Sequence, residues 1–202
     1  MCPAARAGGI ELRTERIGFA MCGSFCTHAE VLRALEQLTR EYETVIPIVS
    51  EISAETDTRF GPAAALLEKV ERLTGRKPLR DIPGVEPIGP KAMLDLLVIA
   101  PATGNTIAKL AAGITDTAVT MATKAHLRNG RPVVVAVATN DGLAAGARNI
   151  GELLARKHYY FVPFGQDAAF SKPTSLIADF GKLPETIDAA LRGEQIQPIL
   201  LR

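Results

Sequence analysis

The segment Pro101-Ala102-Thr103-Gly104-Asn105-Thr106 concentrates hydroxyl, amide and glycine chemistry at one point of the chain. It follows the apolar run Leu94–Ala100 and precedes Ile107, Leu110, Ala111 and Ile114, which recur at helical spacing. A strand-to-helix turn of this composition suits an anionic ligand such as a phosphate. Pro101 is expected to stop the strand, and Thr103 and Asn105 can cap the helix. Free N–H groups at the helix start carry partial positive charge, and Gly104 lets the backbone approach a ligand closely. A well-capped helix needs no more than that. The continuation Ile-Ala-Lys-Leu-Ala-Ala-Gly-Ile-Thr-Asp adds small residues where a tight interface or a ligand would require them.

Three more polar turns follow apolar runs: Cys22-Gly23-Ser24-Phe25-Cys26-Thr27, Ser50 to Thr58, and Thr139-Asn140-Asp141-Gly142. In open α/β sheets, ligands bind beyond the carboxyl ends of the strands, so these four exits are expected to line one crevice. The first offers a single glycine, not the Gly-x-Gly-x-x-Gly of dinucleotide sites. Ser24 and nearby N–H groups could hold a phosphate there, although an ordinary turn accounts for the pattern equally well. Cys22 and Cys26 lack a neighbouring cluster of His or Cys and are read as packing residues, with no metal site. His28, His126 and His158 are read as surface or helix-end histidines.

Positioning these turns requires alternating strands and helices. Ile17–Met21 is the first predicted strand, and Thr27 with Glu30 is a capping-box signature for the helix carrying Val31, Leu32, Leu35 and Leu38. Thr44–Ser50 is a second strand, with Pro47 marking an edge or bulge. A helix over Ala63–Leu73 closes at Gly75, and Lys77–Pro90 is expected to be an ordered loop. Leu94–Ala100 and Val133–Thr139 are strands buried on both faces. Helices are predicted over Asp116–Arg128, around Leu143–Leu154 and over Pro184–Leu191, with a fifth strand at Tyr159–Pro163. The pattern predicts an α/β fold: a three-layer Rossmann-like open sheet, mostly parallel, with helices on both faces. Residues 1–15 are expected to be a flexible tail and 16–202 a single domain.

Among 202 residues, 47% are hydrophobic and 22% charged, with a net charge of +1. Nothing in that balance points to nucleic acid or an anionic membrane, and the lack of Trp argues against a base-stacking platform. No apolar run is long enough to span a bilayer or serve as a secretory signal. The three cysteines suit a reducing cytoplasm.

The string Pro101–Asp116 resembles the motif of the flavoprotein family that includes FMN-dependent cysteine decarboxylases and flavin prenyltransferases. In that family the Pro-Ala-Ser/Thr-x-Asn-Thr portion lies beside FMN, and protomers form trimers or higher assemblies. The resemblance therefore implies an FMN site drawing on Gly23, Ser24, Ser50, Pro101, Thr103, Asn105, Thr106, Thr139 and Asn140, and a homo-oligomer. Thr139-Asn140 stands where decarboxylase members carry Met-Asn. The decarboxylases use a His between their second and third strands, whereas residues 51–100 here contain none. Cysteine decarboxylation is accordingly disfavoured.

Five blocks in order (Ile17–Thr27, Thr56–Gly61, Glu86–Lys91, Lys124–Asn129 and Tyr160–Asp167) resemble the family of dipicolinate synthase B subunits of endospore formers. That resemblance implies the synthase's A subunit as partner, a sporulation role in the mother-cell cytoplasm, and dehydrogenation of dihydrodipicolinate to pyridine-2,6-dicarboxylate. A small dicarboxylate substrate calls for cationic partners, and Arg59 and Lys91 are the candidates. The hydride acceptor would be FMN held here or NAD(P) supplied through the A subunit, since this chain has no nicotinamide fingerprint. Two other roles fit the same resemblance: a stand-alone FMN enzyme of the decarboxylase or prenyltransferase kind, and a non-catalytic partner that stabilises the A subunit.

Overall fold

Five apolar strands make the framework. In the structure, a computed structural model that describes residues 12–201, they are β1 (Arg13–Met21), β2 (Tyr42–Val49), β3 (Leu96–Ala102), β4 (Val133–Thr139) and β5 (Tyr159–Phe161). They run parallel in the spatial order β2-β1-β3-β4-β5. All of β3 is buried, as is β4 up to Thr139, which is what a sheet covered on both faces demands. The register fixes the centre: Ile17 lies beside both Val45 and Leu96, and Leu97 beside Val133.

The helices are α1 (His28–Glu41), α2 (Glu51–Glu55), α3 (Ala63–Thr74), α4 (Ile82–Val85), α5 (Gly104–Ala112), α6 (Ala118–Leu127), α7 (Ala147–Leu154) and α8 (Leu183–Leu191). From β1 the chain crosses through α1 to β2 on one side. From β3 it crosses through α5 and α6 to β4 on the other. Right-handed crossovers running in opposite directions put α1 and the α5–α6 pair on opposite faces of the sheet. The three-layer Rossmann-like expectation is met.

Several boundaries differ from the sequence reading. β1 begins at Arg13, four residues before Ile17, because Arg13 is anchored by Asp188 and its guanidinium lies 4.7 Å from the centre of the Tyr42 ring. The expected tail therefore loses residues 13–15 to the sheet, while 1–11 lie outside the described residues. Thr27 makes no side-chain cap. A single 3-10 turn, Phe25–Thr27, leads into α1, and the Thr27 hydroxyl donates to the Ser24 carbonyl instead. Pro47 sits on the edge strand β2, where Leu79 adds a short parallel bridge. The Lys77–Pro90 loop contains α4, capped by the Asp81 carboxylate.

Pro101 does not stop β3, which continues through it to Ala102. The ladder to β4 shifts register between Ile99 and Ala102, and that irregularity accommodates a residue with no N–H to give. Two short strands were not legible in the sequence. β7 (Leu176–Ala178) pairs antiparallel with the end of β4, and β6 (Phe164–Gln166) pairs antiparallel with β7. They fill the position beside β4 that β5 vacates after Phe161.

Of the histidines read as surface or helix-end residues, His28 at the start of α1 and His126 in the last turn of α6 do lie at helix ends, and both are buried. His126 is fully enclosed, with Nε2 hydrogen-bonded to the Pro132 carbonyl at 3.0 Å. His28 places Nε2 2.8 Å from the Cys22 carbonyl, so that nitrogen carries the proton. Burial lowers the pKa of both.

Candidate ligand-binding cleft

The order β2-β1-β3-β4-β5 reverses direction between β1 and β3, and the crevice beyond their carboxyl ends is where an open α/β sheet places its ligand. A cleft opens there in two halves that share Gly23 and Thr103. One half, about 620 Å³, is lined by Ser50, Glu51, Asn105, Thr106 and Lys109 among others. The second, about 380 Å³, is bordered by Ser24, Phe25, Arg59, Phe60, Thr139 and Asn140, with Asp167, Lys172 and Ser175 on the β6–β7 side. Both volumes lie in the range of small-molecule sites.

The sequence at the β3 exit builds its local structure directly. Thr103 is the N-cap of α5, its hydroxyl accepting from the Thr106 N–H at 3.3 Å. The Thr106 hydroxyl donates in turn to the Cys22 sulfur at 3.3 Å, tying the β3 exit to that of β1. The N–H groups of Gly104 and Asn105 have no acceptor among the described residues, so α5 presents two free donors and its positive end to the cleft. Cys22 is buried, and desolvation pushes its thiol up to about 11, which keeps it protonated at neutral pH. The thiol packs in the core and accepts the Thr106 hydroxyl. Ser50 is buried as well, its hydroxyl donating to Ser53 at 3.1 Å.

Of the residues singled out from the sequence, Gly23, Ser24, Thr103, Thr139, Asn140 and Arg59 meet in the smaller half. Ser50, Asn105 and Thr106 border the larger one with Gly23 and Thr103. Pro101 is buried inside β3 and lines neither. Lys91 is not brought to the cleft. It precedes β3, and its neighbour Gly89 accepts from the Asn129 side chain just after the C-terminus of α6, at the opposite end of the sheet. Gly104 lines the smaller half, and the position of its missing side chain is closely approached by Thr139 and Asp141 of the β4 exit.

Arg59 belongs to the tight Thr58–Gly61 turn, exposed, with its guanidinium 4.9 Å from the centre of the Phe60 ring. The neighbouring carboxylate, Asp57, accepts instead from the Ala63 N–H at the start of α3. Among the described residues Arg59 forms no ion pair.

Phe25 and Glu51 fall within strand exits expected to line the crevice but were not singled out, and the sequence reading missed Phe60, Asp167, Lys172 and Ser175 as cleft residues. Glu51 accepts from the Ala118 N–H at 2.8 Å, joining α2 to the start of α6, while its other oxygen is buried without a partner among the described residues. Lys172 and Asp167 form a 2.7 Å ion pair on the β6–β7 connection, and the hydrogen bond to Asp167 raises the lysine pKa. Only pairing β7 with β4 brings that connection to the cleft. The run of turn residues there has no periodicity that could have announced it.

A cleft at the switch point, with the Pro-Ala-Thr-Gly-Asn-Thr turn at its base, narrows the family. The flavoprotein family profile matches residues 8–181. The chain belongs to the flavoprotein family. Within it, the chain is 46% identical over 190 residues to the dipicolinate synthase B subunit of Bacillus subtilis (strain 168), covering 94% of this chain and 95% of that protein. The crystal structure of the dipicolinate synthase B subunit from Bacillus halodurans superposes with a TM-score of 0.86 at 46% identity, over 93% of this chain and 96% of that one. A further flavoprotein, the FMN-dependent cysteine decarboxylase SpaF, gives a TM-score of 0.64 at 25% identity, over 87% and 97% of the two chains. The resemblance drawn from the five sequence blocks is thus borne out. Among the described residues, no helix is long and apolar enough to cross a membrane.

Proposed function

We propose that this chain is the B subunit of a dipicolinate synthase. In this reading it shapes the site where dihydrodipicolinate loses a hydride and a proton to become pyridine-2,6-dicarboxylate, in a complex with the synthase's A subunit during sporulation. One observation carries the reading: Arg59, a cation with no ion-pair partner among the described residues, borders the switch-point cleft beside the aromatic Phe25 and Phe60. A guanidinium fork matches a carboxylate in two parallel hydrogen bonds. The likeness to the two B subunits supports the same substrate class.

The residues present fit a phosphorylated flavin. The free N–H groups of Gly104 and Asn105 and the Ser24 hydroxyl, which has only a distant sulfur neighbour at 4.0 Å, are the donors an anionic phosphate requires. The two halves of the cleft offer about 620 and 380 Å³ on either side of Gly23 and Thr103. FMN-dependent relatives such as SpaF support that assignment. When bound, a flavin supplies a two-electron acceptor; NAD(P) brought by the A subunit is the other source of one. Either way, the chain's own work is positioning. Arg59 holds a carboxylate, Phe25 and Phe60 wall the ring from water, and the α5 N-terminus holds negative charge. Because the product is aromatic, holding the ring against its acceptor is most of the task. We assign the complex to the cytoplasm and, by analogy with the flavoprotein family, expect the chain to form a homo-oligomer, a trimer or larger.

The test is reconstitution. The A and B subunits together should convert dihydrodipicolinate to dipicolinate, followed by the product's ultraviolet absorbance, and Arg59→Ala in this chain should raise KM about tenfold or more with a smaller change in kcat. Full activity from the isolated A subunit would sink the proposal.

A further inference from the structure

A dicarboxylate offers two anions at opposite ends of a rigid ring, yet the expected second cation, Lys91, lies at the far end of the sheet. The smaller half of the cleft contains another one. Among its lining residues the cations are Arg59 and Lys172, and the one acid is Asp167. The two cations reach it from different sides. Arg59 is carried by the segment following β2, and Lys172 by the connection between β6 and β7. In the sheet order β2-β1-β3-β4-β7-β6 these elements flank the β1–β3–β4 exits from left and right.

Both cations are held by ordered backbone. The Thr58–Gly61 turn is closed by reciprocal N–H to carbonyl bonds of 3.1 and 3.0 Å. Lys172 donates its N–H to the Ala168 carbonyl at 2.8 Å, and its carbonyl accepts from Ser175 at 3.0 Å. The loop is pinned to the β4 exit by the Thr174 hydroxyl on the Asn140 carbonyl at 2.7 Å. The same half of the cleft is also lined by Phe25, Phe60 and Leu176, apolar surfaces of the kind a flat ring packs against.

Resting on the dicarboxylate reading above, we propose that Arg59 and Lys172 clasp the two carboxylates of a planar dicarboxylate from opposite walls. Lys172 gives up its pairing with Asp167 to do so. The asymmetry is chemical. Arg59, without an acid of its own, takes one carboxylate through its planar fork. Lys172, a point charge, exchanges one exposed carboxylate for another, and exposed Lys–Asp pairs are weak enough to exchange readily. Asp167 thus acts as the competitor that keeps the lysine placed while no ligand is bound. The arrangement selects for two carboxylates, since a monocarboxylate engages only one wall.

Calorimetric titration of the purified chain with pyridine-2,6-dicarboxylate and with pyridine-2-carboxylate tests the clasp. Wild type should bind the dicarboxylate at least tenfold more tightly. Lys172→Met should abolish that preference while leaving monocarboxylate binding within about twofold, and Arg59→Met should weaken both ligands. Asp167→Asn should tighten dicarboxylate binding several-fold, a gain that damage to the fold would not produce. An unchanged preference in Lys172→Met, or no dicarboxylate binding by wild type, would overturn the proposal. Dicarboxylate binding with this mutational pattern, but no dipicolinate from the reconstituted A and B subunits, would sink the synthase reading and leave the clasp standing.

Discussion

A Cβ added to Gly104 would lie 2.5 Å from the hydroxyl oxygen of Thr139 and 2.7 Å from a carboxylate oxygen of Asp141. The turn from β3 into α5 is therefore pressed against the β4 exit at a separation that only a hydrogen side chain permits. Thr139 donates its hydroxyl to that same Asp141 carboxylate, so the contact is with a fixed hydrogen-bonded pair and not with a movable side-chain end. This contact fixes the start of α5 against the β4 exit along the smaller half of the cleft. It orients the free N–H groups of Gly104 and Asn105 as well as Thr139 itself.

Gly104→Ala should consequently destabilise the protein by about 1–3 kcal/mol, the range for forcing extra volume into a packed contact. Gly104 lies at the start of α5, where alanine has no conformational penalty, so the cost is steric. Pairing the change with Thr139→Ala should recover part of the loss, because the two substitutions share one contact and will not add. Urea unfolding of the two single variants and the double variant measures this. A Gly104→Ala variant within about 0.5 kcal/mol of wild type, a margin typical of surface changes, would show that the turn can move away freely.

The parts of this fold written in local pattern were legible. Continuous apolar runs gave β1, β3 and β4, since strands buried on both faces leave no polar position, and the helical spacing after Thr103 gave α5. The cleft-lining roles of Ser24, Thr103, Asn105 and Asn140 follow from their places at strand exits. What was not legible depends on pairings between distant segments. β7 spans only Leu176–Ala178 and exists by bonding to β4, so neither it nor the cation it delivers, Lys172, leaves a periodic trace. Lys91 failed for the converse reason. Its position just before a strand is the wrong end of a parallel sheet, a fact that strand direction alone could have supplied. His126 does sit in the last turn of α6, but its burial was not legible, because it depends on the Pro132 carbonyl that captures its ring and on the core that closes over it.

The two cysteines at the first exit should differ sharply in reactivity. Cys22 is buried, accepts a hydrogen bond from Thr106, and has its pKa raised to about 11 by desolvation; Cys26 is exposed at the cleft. Since the thiolate is the reacting species, Cys22 should stay unmodified in the folded protein. In a Cys2→Ser background, a disulfide reagent at pH 8 should label about one thiol per chain under native conditions and about two in denaturant, with peptide mapping placing the native label on Cys26. Rapid native labelling of Cys22 would mean that the β1 exit opens far more than its packing allows.

Acid should weaken the fold through His126 before the carboxylates titrate. The Nε2–H donates to the Pro132 carbonyl, while Nδ1 is buried with no partner among the described residues. Protonating that nitrogen would create both a buried charge and a donor with nothing to bond. Desolvation accordingly lowers the His126 pKa from 6.5 to about 4. The unfolded chain therefore takes up this proton first as pH falls. Its stabilising contribution is complete above pH 6.5 and is lost progressively from there down to about pH 4, below which the loss levels off. Between pH 7.5 and pH 5 the loss from this residue is about 2 kcal/mol, at about 1.36 kcal/mol per pH unit. His28, also lowered by burial, acts in the same direction. His126→Gln retains a donor for Pro132 but cannot titrate. It should be less stable than wild type at pH 7.5 yet lose distinctly less stability on acidification to pH 5, as read from urea midpoints at the two pH values. A variant with the same pH slope as wild type would show that His126 is not the group that senses the acid.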